Sequence, residues 1–371
     1  MIRQMLKFAL MAPFVVLVAC RPGVSEADLE ATVNARVAGT LSAVVSGEAA
    51  PGNMPAVESG QNQSAEAGAS SPAVTPAVGG PSIGGCAIFP ADHIWNTRVA
   101  DLPLDPNSDA YIASIGADTP LHPDFGGGLW EGNIIGIPYN VVDGGAVEPA
   151  QIEFYYPDES DPGPYPIPSD PLIEGGDDRH ILIVDTSDCR LFEIYDAAYE
   201  DGNRWSAGSC AIWDLTGYTL RPDTWTSADA AGLPILPGLV RYDEVAAGEI
   251  RHALRFTAEE TQQQYVWPAR HFASDITDPN VPPMGQRFRL RADFDLSGYP
   301  HDVQVILRAM QEYGIILADN GADWFISGAP DSHWDDEMLV EAFRTIHGSD
   351  FEAVDVSGLM IDPNSGQSRQ P

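Results

Sequence analysis

The densest run of groups able to do acid–base chemistry lies between Asp178 and His271. It holds the carboxylates Asp214 and Glu244 and the imidazoles His180 and His252, each on or beside a strand-like segment. Carboxylates and imidazoles that project from adjacent strands into a groove can protonate a leaving group and activate water. The expected catalytic set is therefore Asp214, Glu244, His180 and His252. Asp214 and Glu244 form the acid/base or nucleophile pair, and the histidines position or shuttle protons. Arg241 and Arg255 offer donors, and Trp205, Trp213 and Trp225 offer ring faces of the kind that stack on sugars; these five form the expected substrate-binding set. Structural readings stand beside these. Asp214 can cap a turn, His252 next to Leu254 and Phe256 can be a hydrogen-bonded core residue, and Arg241 and Glu244, three residues apart, can simply pair. A surface pair of that kind is worth about 0–1 kcal/mol.

Other chemistries find no support. The chain has no Walker loop, dinucleotide glycine fingerprint, HExxH or G-x-S-x-G. Its eight histidines are scattered singly, so no metal ligand set is expected. Asp293-x-Asp295-x-Ser297-Gly298 resembles the opening of a calcium loop, but position twelve is Gln304 rather than Glu. Structural calcium is thus the only ion suggested, and no cofactor is expected. Cys189 and Cys210 flank a turn near Asp201-Gly-Asn203 and read as a cross-strand disulfide, leaving Cys86 over. Cys210 within Gly208-Ser-Cys210 is a weaker thiol-nucleophile candidate.

These residues need a scaffold, and period-2 apolar patterns supply it at 134–142, 151–156, 180–185, 190–195, 205–215, 250–257, 265–267, 287–293 and 324–327. Helical spacing is confined to 107–115, 240–247, 301–313 and 335–346, each followed by a glycine. The expected fold class is α+β, mainly β, with a β-sandwich or jelly-roll-like core and a few short helices, mostly late in the chain.

Arg3 and Lys7 precede a 12-residue apolar run that ends in Leu17-Val-Ala-Cys20. That is too short to span a bilayer, where about 20 residues are needed, and it reads as a lipoprotein signal peptide (1–19) with lipidation at Cys20. Residues 20–85 lack aromatics and read as a low-complexity tether. Within it, 25–46 carries an apolar helical stripe open to self-association. Residues 86–356 form one domain, and 357–371 a polar tail expected to fray. The net charge is −35, which excludes ordinary phosphate-backbone binding and disfavours polyanionic ligands.

Phe89-Pro-Ala-Asp-His-Ile-Trp-Asn-Thr97, Asp158-Glu-Ser-Asp-Pro-Gly-Pro-Tyr-Pro-Ile-Pro168, Gly232-Leu-Pro-Ile-Leu-Pro-Gly-Leu-Val-Arg-Tyr-Asp-Glu-Val245, Ile250-Arg-His-Ala-Leu-Arg-Phe256, Trp267-Pro-Ala-Arg-His-Phe272 and Ile316-Leu-Ala-Asp-Asn-Gly-Ala-Asp-Trp-Phe-Ile-Ser-Gly328 stand out as specific segments. Together they resemble a family of uncharacterised secreted bacterial proteins. The resemblance spans 86–356, implies one secreted domain, and supplies no catalytic residues. The combined expectation is an extracytoplasmic lipoprotein, held to the membrane only by lipid, that hydrolyses a neutral extracellular glycan. The alternatives are a glycan- or protein-binding module and a structural envelope protein.

Overall fold

The computed structural model describes residues 80–370. Cys20, the signal peptide and the 25–46 stripe lie outside the described residues. The fold is α+β and mainly β, with short helices concentrated late. Two sheets carry most of it.

The first is four-stranded, ordered 209–214, 190–195, 181–185, 139–142, with only the last pair parallel. Its register separates two faces cleanly. His180, Leu182, Val184, Leu191, Glu193, Ala211 and Trp213 face one way. Ile181, Ile183, Phe192, Ile194 and Cys210 face the other, against Tyr165 and against Trp205 and Ala207 of a small three-stranded sheet ordered 198–199, 204–207, 151–154. Burial on both faces explains why Ile181-Leu-Ile-Val184 is continuously apolar rather than alternating.

The second sheet has six strands, ordered 351–354, 287–290, 315–320, 254–258, 325–327, 122–124. Its central pair, Leu254–Ala258 and Ile315–Asn320, is parallel. The helix His301–Glu312 leads into the second of these and buries Val303, Ile306, Leu307 and Met310, one helical face. Gly314 ends it at φ +71°, where a Cβ would stand 2.2 Å from the Phe288 carbonyl oxygen.

Between the sheets runs an irregular segment, Ser227–Val240, buried almost throughout. Ser209 Oγ donates to the Ser227 carbonyl (2.6 Å), Ala231 N to Ala318 O (2.9 Å) and Val240 N to Ser327 O (3.1 Å). It is thereby stitched to both layers.

Two expectations are corrected. The disulfide joins Cys86 to Cys189, with Cα atoms 5.4 Å apart, and Cys210 is a buried free thiol. The hairpin register pairs Arg190 with Asp214 and Ile194 with Cys210, so Cys189 stands at the level of Leu215, five residues from Cys210. The tail is bound rather than frayed. Gly366 N donates to Tyr218 O, Ile94 N to Gly366 O, Ser368 N to Asp92 O, and Arg270 to Pro363 O and Asn364 Oδ1. Its polar residues, which looked solvated, are consumed by these bonds.

Because the bridge closes a loop of about 100 residues, removing it by Cys86→Ser should cost roughly 2–5 kcal/mol in urea denaturation. A non-reducing peptide map should recover the Cys86 and Cys189 peptides linked; a Cys189–Cys210 peptide would reject the assignment.

Candidate acid–base site

Two clusters of buried ionisable groups join carboxylates to histidine and arginine. The larger lies on the seam between the sheets. Arg255, 4% exposed, reaches from the Leu254–Ala258 strand and grips Asp229 with two bonds, Nε–Oδ2 at 3.0 Å and Nη2–Oδ1 at 2.9 Å. The same Nη2 lies 2.9 Å from Asp319 Oδ2, and Nη1 lies 2.6 Å from Ser327 Oγ. A β-bulge aims Asp319. Arg255 pairs with Ile316 but Thr257 pairs with Asp319, so the extra residue turns Asp319 onto the Arg255 face, where simple alternation would have turned it away.

Three neighbours complete the seam. His180 presents Nδ1 to Glu174 Oε2 (2.5 Å) and Nε2 to the Ala228 carbonyl (2.9 Å). Glu193 is fully buried, accepts the backbone N–H groups of Ile235 and Leu236 (both 2.9 Å), and accepts Trp213 Nε1 (3.2 Å).

Four carboxyls thus face two cations, and full ionisation would leave two excess negative charges in a poorly solvated place. Proton affinities shift accordingly. Burial, reinforced by the adjacent Asp229 carboxylate to which it is hydrogen-bonded, holds the Asp319 carboxyl well above its ordinary range, more than Arg255 can offset. Burial also pushes Glu193 up to about 7, although the Leu236 and Ile235 N–H groups pull it down. For His180, burial favours the neutral ring, but Glu174 and the Ala228 carbonyl overcome it and raise the imidazole to about 9. Asp319 is the exposed end of the network. Its side chain is 25% exposed, while that of Asp229 is wholly buried. A carboxyl that keeps its proton near neutral pH and touches solvent is equipped to donate that proton.

No family model matches the chain, and no curated protein or solved structure matches it. The site therefore stands on its geometry.

The second place holds Glu244, His252 and Arg241. His252 Nε2 lies 2.9 Å from Glu244 Oε2 and Nδ1 lies 2.8 Å from the Ala253 carbonyl. Arg241 Nη2 lies 3.2 Å from Glu244 Oε1, and its Nε donates to Asp243. Burial would raise the Glu244 carboxyl, but His252 and Arg241 prevail and hold it below its ordinary value. These three residues are 9% exposed or less, while Asp243, on the outer side of Arg241, is 59% exposed.

The four residues expected to share a groove thus fall in three places. His180 and Arg255 join the seam, Glu244, His252 and Arg241 the second cluster, and Asp214 neither. Asp214 is exposed at a strand end, where it caps Thr216 (N–H to Oδ1, 2.9 Å) and points to the face opposite His180 and Glu193. Of the tryptophans, Trp205 and Trp213 are core residues, 6% and 3% exposed; Trp225 is partly exposed, with the Arg221 guanidinium 5.2 Å from its ring centroid. Two surface recesses of about 190 and 200 Å³ are lined by no residue of either cluster. Among the described residues no group of three or more His, Cys, Asp or Glu is placed to hold a metal. The calcium-loop reading yields to pairing of Asp293 with Arg291 and of Asp295 with Ser297 N.

Sequence reading missed Asp229, Asp319, Glu174 and Glu193. Glu193 carried a signal, a lone acid in Arg190-Leu-Phe-Glu-Ile-Tyr195 on the face shared by Leu182 and Leu191.

Asp319, Glu193 and His180 all bind a proton more tightly folded than unfolded. Their contribution to stability is complete below the ordinary values of 3.8, 4.5 and 6.5 and is lost as pH rises through the elevated ones. The depressed Glu244, Asp185 and Asp214 give the opposite slope in acid. Urea midpoints should therefore peak near pH 5, with roughly 2 kcal/mol or more lost by pH 9; a midpoint flat or rising from pH 5 to 9 contradicts the shifts.

Proposed function

We propose that the domain is the catalytic part of a lipid-anchored, extracytoplasmic hydrolase of neutral polysaccharide, with Asp319 as its general acid. The observation that carries this is the proton-retaining, partly exposed Asp319 held against Asp229 and Arg255. Asp229 and Asp319 share Nη2 of Arg255, 2.9 Å from each, and Asp229 is wholly buried, so it does not face Asp319 across a substrate as the second carboxylate of a glycosidase does. They act as one unit: Asp229, tied by Arg255, raises the proton affinity of Asp319. The second carboxylate of the reaction is Glu174, whose side chain is 17% exposed and which also acts on Arg255. Asp319 gives its proton to the leaving glycosidic oxygen while Glu174 takes one from the attacking water, so water adds across the broken C–O bond. His180 orients Glu174, and Ser327 holds the far end of Arg255.

The substrate class follows from charge. At −35, a polyanion would be repelled and an uncharged glycan would not. The segment before Cys20 supports the location. Non-catalytic binding is the second reading, favoured by the exposed Tyr155, Tyr156 and Tyr199.

Asp319→Asn keeps shape and removes the acid. It should lower release of reducing ends from a neutral polysaccharide at least 100-fold, with little change in melting temperature. Wild-type activity should fall on the alkaline side as Asp319 loses its proton. Full activity in Asp319→Asn, or no product from wild-type protein on any neutral glycan, refutes the assignment.

A further inference from the structure

We infer that four partly exposed rings beside the acid pair, Trp225, Tyr265, His271 and Phe272, form a stacking subsite for an uncharged saccharide. The inference deepens the hydrolase reading and rests on it for the fate of the bound sugar, not for the binding.

Position is the first argument. His271 Nδ1 lies 2.7 Å from the carbonyl of Ala230, the residue after Asp229. His271 N donates to Ala231 O (3.2 Å), and Ala231 N donates to the carbonyl of Ala318, the residue before Asp319 (2.9 Å). The rings therefore share a short stretch of backbone with both acids. Gly232, at φ +67°, is the point of convergence: a Cβ there would stand 2.5 Å from the Trp225 carbonyl oxygen and 3.5 Å from His271 Cβ. Any larger residue would push the ring-bearing segments apart.

Shape and chemistry are the second argument. The His271 and Phe272 rings lie 5.9 Å apart and 10° from parallel, and the Phe272 and Tyr265 rings 6.3 Å apart and 23° from parallel. All four rings keep partial exposure. Near-parallel aromatic rings suit the flat C–H faces of a pyranose. A hydroxyl partner stands at the edge: Asp223, exposed and bonded to the Tyr265 hydroxyl (2.7 Å). Arg221 already covers one side of Trp225, and Arg270 is committed to Asp223, Pro363 and Asn364. These cations are thus occupied, and the chain is too acidic for a polyanion or a nucleic acid to settle there.

The test is affinity electrophoresis of the full chain through gels containing soluble starch, mixed-linkage β-glucan, xylan or galactomannan, with release of reducing ends scored separately. At least one polysaccharide should retard the protein. Phe272→Ala and Tyr265→Ala should weaken the retardation about tenfold, Tyr265→Phe should restore it, and Asp319→Asn should leave it intact. Melting temperatures show whether the variants are folded, and Tyr265→Phe keeps the test valid if an alanine variant is not. Absence of retardation in all four gels, or retardation unaltered in both alanine variants, overturns the subsite. Retardation without product release from wild-type protein refutes the hydrolase reading and leaves the subsite standing. Product release with a KM unchanged in both alanine variants refutes the subsite and leaves the acid pair standing.

Discussion

An irregular backbone cannot be buried unless something other than secondary structure satisfies its peptide groups. Ser227–Val240 is such a backbone, enclosed between two sheets, and Glu193 is the residue that makes its enclosure workable. From the middle of an otherwise apolar sheet face it accepts the N–H groups of Ile235 and Leu236. The segment in turn delivers Asp229 to Arg255, and Gly232 to the point where the ring-bearing loops meet. The tolerance of the interior for Glu193 depends on its elevated proton affinity, because a neutral carboxyl is far cheaper to bury than a charged one. The layers, the wedge and the electrostatics of the seam are therefore one problem with one solution.

That solution carries a stability cost in the manner of buried charge generally. Replacing a buried ion pair with well-packed apolar groups is often neutral or stabilising, whereas removing one partner is costly. The seam concentrates Arg255, His180 and four carboxyls where an apolar core would serve the fold better, and it leaves two of them, Asp319 and Glu174, in contact with solvent. The second cluster, Glu244 with His252 and Arg241, ties the short helix Tyr242–Ala247 to the segment that leads into the Leu254–Ala258 strand. Two groupings made from the same residue types thus differ in proton affinity: Asp319 of the seam is raised, whereas Glu244 of the second cluster is lowered.

Much of the scaffold was legible in the residues. The four described α-helices overlap the segments of helical spacing, the last ending at Phe343, short of Gly348, and Ile181–Asp185, Arg190–Tyr195 and Leu254–Ala258 overlap the expected strand runs. The central strand Ile315–Asn320 was not: Ile315-Ile-Leu-Ala318 has no alternation, follows the helix stop Gly314 directly and runs into Asp-Asn-Gly321. The site was less legible still. Asp214, Glu244, His180 and His252 are near in sequence, but alternate strand faces send Asp214 and His180 apart, and Glu244 lies on a helix. Asp229 sits in a segment without periodicity, and Asp319 reaches the seam only through a bulge, an irregularity that local pattern does not encode. The cysteine pairing failed for a related reason, a hairpin register displaced by a few residues.

The bridge between His93 and Gln367 brings the first and last turns of the described chain side by side. A domain whose two ends meet hangs from a single pole. A partner or support attached at either of these ends therefore holds the described body from the same point. Joining the two ends by a short linker and opening the chain elsewhere would preserve the contacts while moving that pole, which makes the orientation of the seam toward its surroundings an adjustable property of this architecture.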